Sequence, residues 1–543
     1  MRSIIMFTSK YDSAKKIWSG GHLAPFHDES VSLGRALYYT LARDPQRLAQ
    51  ISGDTGLRVT NGEICDQMLK IASNLSLKGA KRDQVIAIVA KNGPLIAPAT
   101  FAAFLLAIPV NTLDPNYVMA EIAHMFTQTQ PSIVFCDHDN YSTVKSALIE
   151  NKSSAKIINF GPRISGVENI DDYLVKTGFE DSLEIPDVDG QTCGLILCSS
   201  GTTGLSKGVS LTHQHFLYLS ANPYFFDFRQ DSVMLCFSSL YWLSGILHLL
   251  FTTFNGMTRI ITTQPFSPEH FLKMVDQYKV THMLSAPVYL AAVLDSTLLT
   301  PTSLANLREY MVGGSVVPEE KWSRMQEYLP NGYVRIVYGM SELGFATRQD
   351  YKTKKYCVGK LAPDVQMKIV NINNENLGPG EKGEICFKSR FRFLGYTRNA
   401  KATAEMIDKD GWVHTGDIGF VDNDGDLHIA DRMKEILKYS NHHISPSEIE
   451  NIICRFPEVE YVAVVGVPDP VCTDLPAALV VLREDANITA DDIYQLVASN
   501  LSNPKHLRGG VYFVDLLPLT PSGKVIKNKV KEKAIELYRA RCQ

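Results

Sequence analysis

The decamer Ser199–Gly208, S-S-G-T-T-G-L-S-K-G, follows the apolar run Leu195-Ile196-Leu197 almost directly. Its glycines let the backbone turn N–H groups toward one point. The hydroxyls of Ser199, Ser200, Thr202, Thr203 and Ser206 add donors, and Lys207 adds charge. An apolar run feeding such a loop reads as a phosphate cradle. It is not a Walker A loop, because Gly208 follows Lys207 and the G-x-x-x-x-G-K-[ST] spacing fails. A flexible Gly/Ser linker has the same composition. The rest of the chain decides between cradle and linker.

With 543 residues the chain exceeds one ordinary core, so two or more domains are expected. A hydrophobic content of 45% with 21% charged residues is that of a folded protein. A formal net charge of −4 argues against nucleic acid as a partner and for small molecules or proteins. Ten cysteines occur without a C-x-x-C pair or zinc spacing, which reads as reduced thiols in an intracellular compartment. Cys198 and Cys236 lie within apolar runs and read as small core residues. Near the start, the apolar patch Ile4–Phe7 returns quickly to charge and makes a poor signal peptide. The uncharged stretch Asn92–Leu113 carries Pro94, Pro98 and Pro109. It reads as a buried helix running into a strand, and no transmembrane segment is expected.

From about residue 50 to 340, short apolar strands alternate with helical stretches: Val85–Ala90, then Phe101–Ala107; Ser132–Cys136, then Tyr141–Ile149; further on Lys156–Phe160 and Met283–Ala286. That alternation predicts an α/β architecture with largely parallel sheets. Between about 357 and 430 the texture changes to short strands with turns, including Asp422–Asp426 between Gly419–Val421 and Leu427–Ile429. The acidic run lacks the glycine and glutamate positions of an EF-hand and reads as a turn. After Asp431 come a capped helix at Pro446–Cys454, a strand at Val459–Val465, a helix near Asp491–Ala498 and a lysine-rich tail. A small α+β domain over 432–543, behind a large domain over 1–431, is the expected division. The tail from Lys524 to Arg541 puts Ile526, Val530, Ala534 and Leu537 on one helical face, which favours docking on its own domain.

Four further stretches bear on the opening loop. Val312-Gly313-Gly314-Ser315 follows a strand and offers bare backbone. Tyr338-Gly339-Met340-Ser341-Glu342 ends a strand on an exposed tyrosine and a carboxylate. Gly411–Asp417, G-W-V-H-T-G-D, places an acid after a tight glycine turn, and Pro518–Lys524, P-L-T-P-S-G-K, presents a lysine on a turn. Singly, each also reads as a sheet-end turn, a core tyrosine, a surface hairpin or a solvated lysine.

Taken jointly, in this order and spacing, these stretches together with D-R-M-K-E-I-L-K (Asp431–Lys438) resemble the adenylate-forming superfamily. That superfamily holds acyl-CoA synthetases, amino-acid-activating domains and beetle luciferases. The resemblance runs from about residue 30 to 535 and is nearest the 4-coumarate-ligase and luciferase-like branch, especially insect acyl-CoA synthetases. It implies that Ser199, Ser200, Gly201, Thr202, Thr203, Gly204 and Lys207 bind ATP phosphates. It places adenine against Tyr338, with Gly313, Gly314, Ser315 and Gly339 completing the nucleotide set. Asp417 takes the ribose hydroxyls, Arg432 a ribose or phosphate contact, Ser341 the α-phosphate and Glu342 Mg²⁺. Lys524 acts in adenylation of a small-molecule carboxylate. In a second step coenzyme A displaces AMP after the C-terminal domain rotates about Lys434 and brings in Lys438. The family association also points to the peroxisome.

Three features depart from that pattern. The acyl-pocket motif Phe237–Gly245, which includes Tyr241 and Gly245, has Trp242, Leu243 or Ser244 where luciferases and many relatives carry histidine, and no histidine follows until His248. No acid occurs between Ser232 and Pro268, which disfavours an amino-acid substrate and leaves an apolar pocket. Asn441 stands where the family has glycine near the pantetheine path, and the final Arg541-Cys542-Gln543 is not an S-K-L signal. The expected activity is ATP-dependent activation of a medium- or long-chain fatty acid followed by transfer to coenzyme A. A luciferase-type monooxygenase and a non-catalytic acyl or nucleotide binder are the alternatives.

Overall fold

The strands Ile86–Val89, Val110–Leu113, Ile133–Asp137, Lys156–Phe160, Glu168–Asn169 and Cys193–Ser199 pair in parallel as the core of an eight-stranded sheet. The computed structural model describes all residues except 1–6, 25–26, 29, 200–205, 222–227, 230, 316, 318, 350–356, 392, 434, 440–441, 485, 521–523 and 543, and the side chains of 438, 442, 443 and 542. Runs such as Ile86–Val89 are apolar throughout because both faces are covered. Ile86 and Ile88 join one core, Ala87 and Val89 another. The stretch Asn92–Leu113 resolves into the wholly buried helix Ile96–Leu105 and the strand Val110–Leu113. Pro98 falls in the first helical turn, where a missing N–H is tolerated.

Lys207–Thr212 returns antiparallel beside Cys193–Ser199, with Ser199 opposite Lys207. The decamer is therefore a hairpin connection at the sheet's end and not a linker. A nine-stranded sheet carries the parallel strands Leu48–Ser52, Thr258–Ile261, Val233–Leu235, His282–Ser285, Glu309–Gly313 and Tyr333–Met340. The helix Leu243–Phe254 serves two cores: Ile246, Leu249 and Leu250 face one, Leu247 and Phe251 the other. That double duty explains why it is apolar on nearly every face. Gly313 and Tyr338 lie at the C-terminal ends of neighbouring parallel strands, where α/β sheets hold their ligands.

The short-strand region forms a six-stranded antiparallel sheet that ends in Gly383–Ser389, Val413–Val421 and Leu427–Arg432. Asp422–Asp426 is the expected turn, with the Asp422 N–H donating to the Asp426 carbonyl at 3.0 Å and Gly425 at φ +83°. G-W-V-H-T-G-D differs from the expected glycine turn before an acid: Val413–Asp417 lie inside the strand Val413–Val421, with Gly416 and Asp417 within it. Glu384 pairs with Ile418 and Cys386 with His414, so one residue, Ile385, faces the three residues Thr415, Gly416 and Asp417. The surplus is a bulge, with Gly416 at φ +70°, a value that suits glycine.

After Arg432 the next strand, Leu437–Tyr439, already belongs to a last, five-stranded sheet with Val459–Asp469, Thr473–Leu482, His442–Ile444 and Gly510–Phe513. The helices Pro446–Ile453, Ala490–Asn500 and Lys527–Cys542 pack with it, completing a small α+β domain behind the large one. Val530 and Ala534 of the tail helix are fully buried against Val465 and Leu479, so the tail docks on its own domain. Cys198 and Cys236 are buried, and every described cysteine in the cysteine set is a free thiol. Among the described residues no helix is long and apolar enough to cross a membrane.

Candidate active site

Asp417 projects from the bulge and is gripped on both oxygens. The Tyr338 hydroxyl donates to Oδ2 at 2.6 Å, and Arg432, opposite it on the next strand, places Nε 3.1 Å from Oδ1. Tyr338 was expected to be exposed; it is partly buried because its hydroxyl reaches across to this carboxylate. Burial first and the Asp417 charge second hold its phenol well above the ordinary tyrosine range. The ring therefore stays neutral, a planar face beside an anion.

Glu342, at the same sheet end, is only 4% exposed. The Tyr396 hydroxyl donates to its Oε1 at 2.7 Å, and the Lys207 ammonium sits 4.8 Å from the Tyr396 ring centroid. Burial raises the Glu342 carboxyl above its usual value, while Tyr396, Lys207 and Arg432 favour its ionised form. When ionised, this buried carboxylate is a fitting oxygen ligand for a hard divalent cation.

Bare backbone lines the gap between the two strand ends. A Cβ on Gly313 would come within 2.4 Å of the Val337 carbonyl oxygen, and one on Gly339 within 2.1 Å of the Gly344 carbonyl oxygen. Gly314 has φ +95° and open space in front of it. Ser315 is exposed and Ser341 partly buried nearby in sequence.

Lys524 arrives from the far end of the chain. The Thr520 N–H donates to the Lys524 carbonyl at 2.7 Å and the Lys524 N–H to Thr520 Oγ1 at 3.1 Å, closing the expected turn. Burial and the neighbouring Arg432 lower the ammonium's pKa, and Asp417 and Glu342 pull it back up. The lysine thus lies in the field of the same groups that sequence order scatters over the chain.

Of the loop expected to cradle phosphate, residues 200–205 lie outside the described residues, but both arms are visible. Ser199 and Lys207 close its base. The Ser206 carbonyl accepts from Gln128 Nε2 at 3.0 Å and faces His124 Nε2 at 2.9 Å, while the Gly208 N–H donates to Gln128 Oε1 at 3.2 Å. Tyr117 shares a hydrogen bond with the Ser206 hydroxyl at 2.8 Å and donates to Tyr241 at 3.0 Å.

That last contact reaches the pocket motif. Tyr241 is buried, and its ring centroid is 4.5 Å from that of Trp242, the residue preceding the helix Leu243–Phe254. Ser244 donates to Ser238 at 2.8 Å, and Gly245 packs so closely that a Cβ would meet the Ser239 carbonyl oxygen at 2.0 Å. His248 is a core residue: its Nε2 lies 3.1 Å from the Met234 carbonyl, and burial pushes its pKa down to about 3. Lys438 pairs through its backbone with His443. Lys434 and Asn441 lie outside the described residues.

Sequence reasoning missed Tyr396, Tyr117, His124, Gln128 and Glu384, none of which sits in a recognisable spacing. Glu384, Cys386 and His414 also bring potential ligand atoms within 4.8 Å of one another. Their polar groups are already engaged: His414 Nδ1 with Glu384 at 2.8 Å, and the other Glu384 oxygen with the Gly416 N–H at 3.1 Å.

Comparison with known proteins is consistent over most of the chain. Residues 37–397 match the family model described as AMP-binding enzyme, and residues 448–524 match that of the AMP-binding enzyme C-terminal domain. A luciferin 4-monooxygenase of Nipponoluciola cruciata is 30% identical over 88% of this chain and 90% of its own length. A 4-coumarate–CoA ligase of Humulus lupulus is 29% identical over 92% of this chain and 93% of its own. Among solved structures, the luciferase-like enzyme of the nonluminescent mealworm Zophobas morio is 28% identical, with a TM-score of 0.72, over 78% of this chain and all of that one. ATP-bound MatB of Rhodopseudomonas palustris, 24% identical, shares the fold with a TM-score of 0.85 over 94% of this chain and all of its own.

Proposed function

The chain belongs to the AMP-binding, adenylate-forming enzyme family, and on that premise we propose that it is an acid–CoA ligase acting on an apolar carboxylic acid, a medium- or long-chain fatty acid. One observation carries the catalytic half of this reading: Lys524, from the small domain, shares its electrostatic surroundings with Asp417 and Glu342 of the large one and with Arg432 at the boundary between them. Those are the groups needed where a carboxylate meets a triphosphate.

In the first half-reaction the substrate carboxylate oxygen bonds to the α-phosphorus, and the bond to the β-phosphate oxygen breaks, giving acyl-AMP and pyrophosphate. Two anions must approach, so positive charge is needed where negative charge develops. Lys524 supplies it at the carboxylate and α-phosphate oxygens, and Lys207 at the leaving pyrophosphate. Asp417 holds the ribose hydroxyls through charge-assisted hydrogen bonds. The bare backbone of Gly313, Gly314 and Gly339 admits the purine beside Tyr338, and Ser341 donates to the α-phosphate. Glu342 is the residue that would hold Mg²⁺, which when bound neutralises phosphate charge. In the second half-reaction the thiol of coenzyme A bonds to the acyl carbon and AMP leaves. We assign Lys438 to that step and Lys434 to the hinge between domains over 1–431 and 432–543.

The stretch Ser232–Pro268, which carries no acidic residue, and its aromatic pair Tyr241 and Trp242 support an acyl chain as substrate. The experiment is a screen of pyrophosphate release with ATP over carboxylic acids of graded length, with and without coenzyme A. Coenzyme A-dependent thioester formation from apolar fatty acids is expected, with negligible light from beetle luciferin and ATP. Bright ATP-dependent emission, with no thioester from any acid, would overturn the ligase reading in favour of the oxygenase. No pyrophosphate release with any acid would leave a binder.

A further inference from the structure

A bulge that ejects a ligand-binding carboxylate from a sheet must find partners for the backbone groups it removes from the ladder. Around Asp417 side chains provide them. The Gly416 N–H donates to Glu384 Oε1 at 3.1 Å, the Asp417 N–H to Thr415 Oγ1 at 3.0 Å, and the Thr415 hydroxyl to the Ile385 carbonyl at 2.8 Å. The Gly416 carbonyl accepts from the Met433 N–H at 2.7 Å, on the segment that follows Arg432. Only one of these partners comes from a side chain on the facing strand, and that is Glu384.

Glu384 is itself fixed. Its Oε2 lies 2.8 Å from His414 Nδ1, and the other ring nitrogen, Nε2, faces Asp408 Oδ2 at 3.6 Å. Asp408 in turn accepts the Trp412 and Asp410 N–H groups, both at 2.9 Å, and lies 3.5 Å from the Lys368 ammonium. The carboxylate therefore cannot swing away without breaking a chain that runs through His414 to Asp408.

We propose that Glu384 is a positioning residue for nucleotide recognition: it pins the Gly416 amide and so aims the Asp417 carboxylate at the ribose. The proposal rests on the reading of Asp417 as the ribose acceptor, and the test separates the two. Touching no substrate, Glu384 acts through one amide, so its loss should be felt at the sugar and not at the acid.

The test uses the full-length protein and compares kcat/KM for ATP with that for 2′-deoxy-ATP and 3′-deoxy-ATP, alongside KM for the acid. The wild type should prefer ATP, and Asp417→Ala should abolish that preference. Glu384→Ala should raise KM for ATP about tenfold, the scale of one hydrogen bond to a charged group. It should reduce discrimination against the deoxy analogues, leaving KM for the acid unchanged. Two conservative variants keep the question answerable if the alanine variant folds poorly. Glu384→Gln retains the reach and an acceptor for Gly416, whereas Glu384→Asp retains charge but is one methylene short. Ribose discrimination restored by glutamine and not by aspartate supports the positioning role; the reverse order overturns it. Full discrimination in Glu384→Ala, with Asp417→Ala defective, also overturns it. Undiminished discrimination in Asp417→Ala instead overturns the ribose reading, and the proposal with it.

Discussion

Replacing Tyr396 by phenylalanine removes one hydroxyl from the buried surroundings of Glu342 and keeps the ring beneath Lys207. In the wild type that hydroxyl donates to Glu342 Oε1 at 2.7 Å, and burial already raises the carboxyl's pKa. A hydrogen bond to a charged group contributes about 1.5–3 kcal/mol, and here it favours the ionised form. Its loss makes the carboxylate harder to ionise by about 10- to 150-fold in equilibrium constant. The sign follows from which form does the work. If the ionised carboxylate is needed, the variant loses activity where Glu342 must still give up its proton, on the acidic limb. It recovers where ionisation is complete. Pyrophosphate release measured from about pH 5.5 to 9 should therefore give a wild-type to variant ratio that is large in acid and closes in alkali. A ratio independent of pH would refute the reasoning, and would mean that Tyr396 shapes packing without tuning the carboxylate.

Lys524→Ala should lower adenylate formation by about 10²–10³, the cost of one transition-state donor, with ATP binding by equilibrium dialysis preserved; adenylation within a few-fold of wild type would assign the lysine elsewhere. Glu342→Gln should abolish activity yet raise stability at neutral pH by about 1 kcal/mol, roughly 1 °C in melting temperature for a domain of this size. A carboxyl with a raised folded pKa favours folding fully only while protonated, so the advantage of glutamine should shrink as the melt is repeated toward pH 4.

What was legible in the sequence follows from the range of the interactions involved. Ile86–Val89 and the helix Ile96–Leu105 are buried on all sides, so their composition alone marks them. Asp417 and Lys524 stand in motifs whose glycines and prolines leave a local trace. The bulge left none, because it is a relation between Glu384 and Gly416, 32 residues apart. Tyr338 was expected to be exposed because its partner is 79 residues away. Tyr396 reaches Glu342 over 54 residues, and Tyr117 reaches Ser206 over 89. Each is an ordinary tyrosine by composition, and only the packed sheets bring it to its carboxylate or hydroxyl.

The hydroxyl run from Ser206 through Tyr117 to Tyr241 joins an arm of the loop assigned to phosphate to the motif assigned to the acid. Tyr117 is thus bonded to both sides, as the partner of Ser206 and of Tyr241. Two ligands that bias one shared element must influence each other equally, because the thermodynamic cycle closes. Any factor by which the acid changes the affinity for ATP is then the factor by which ATP changes the affinity for the acid.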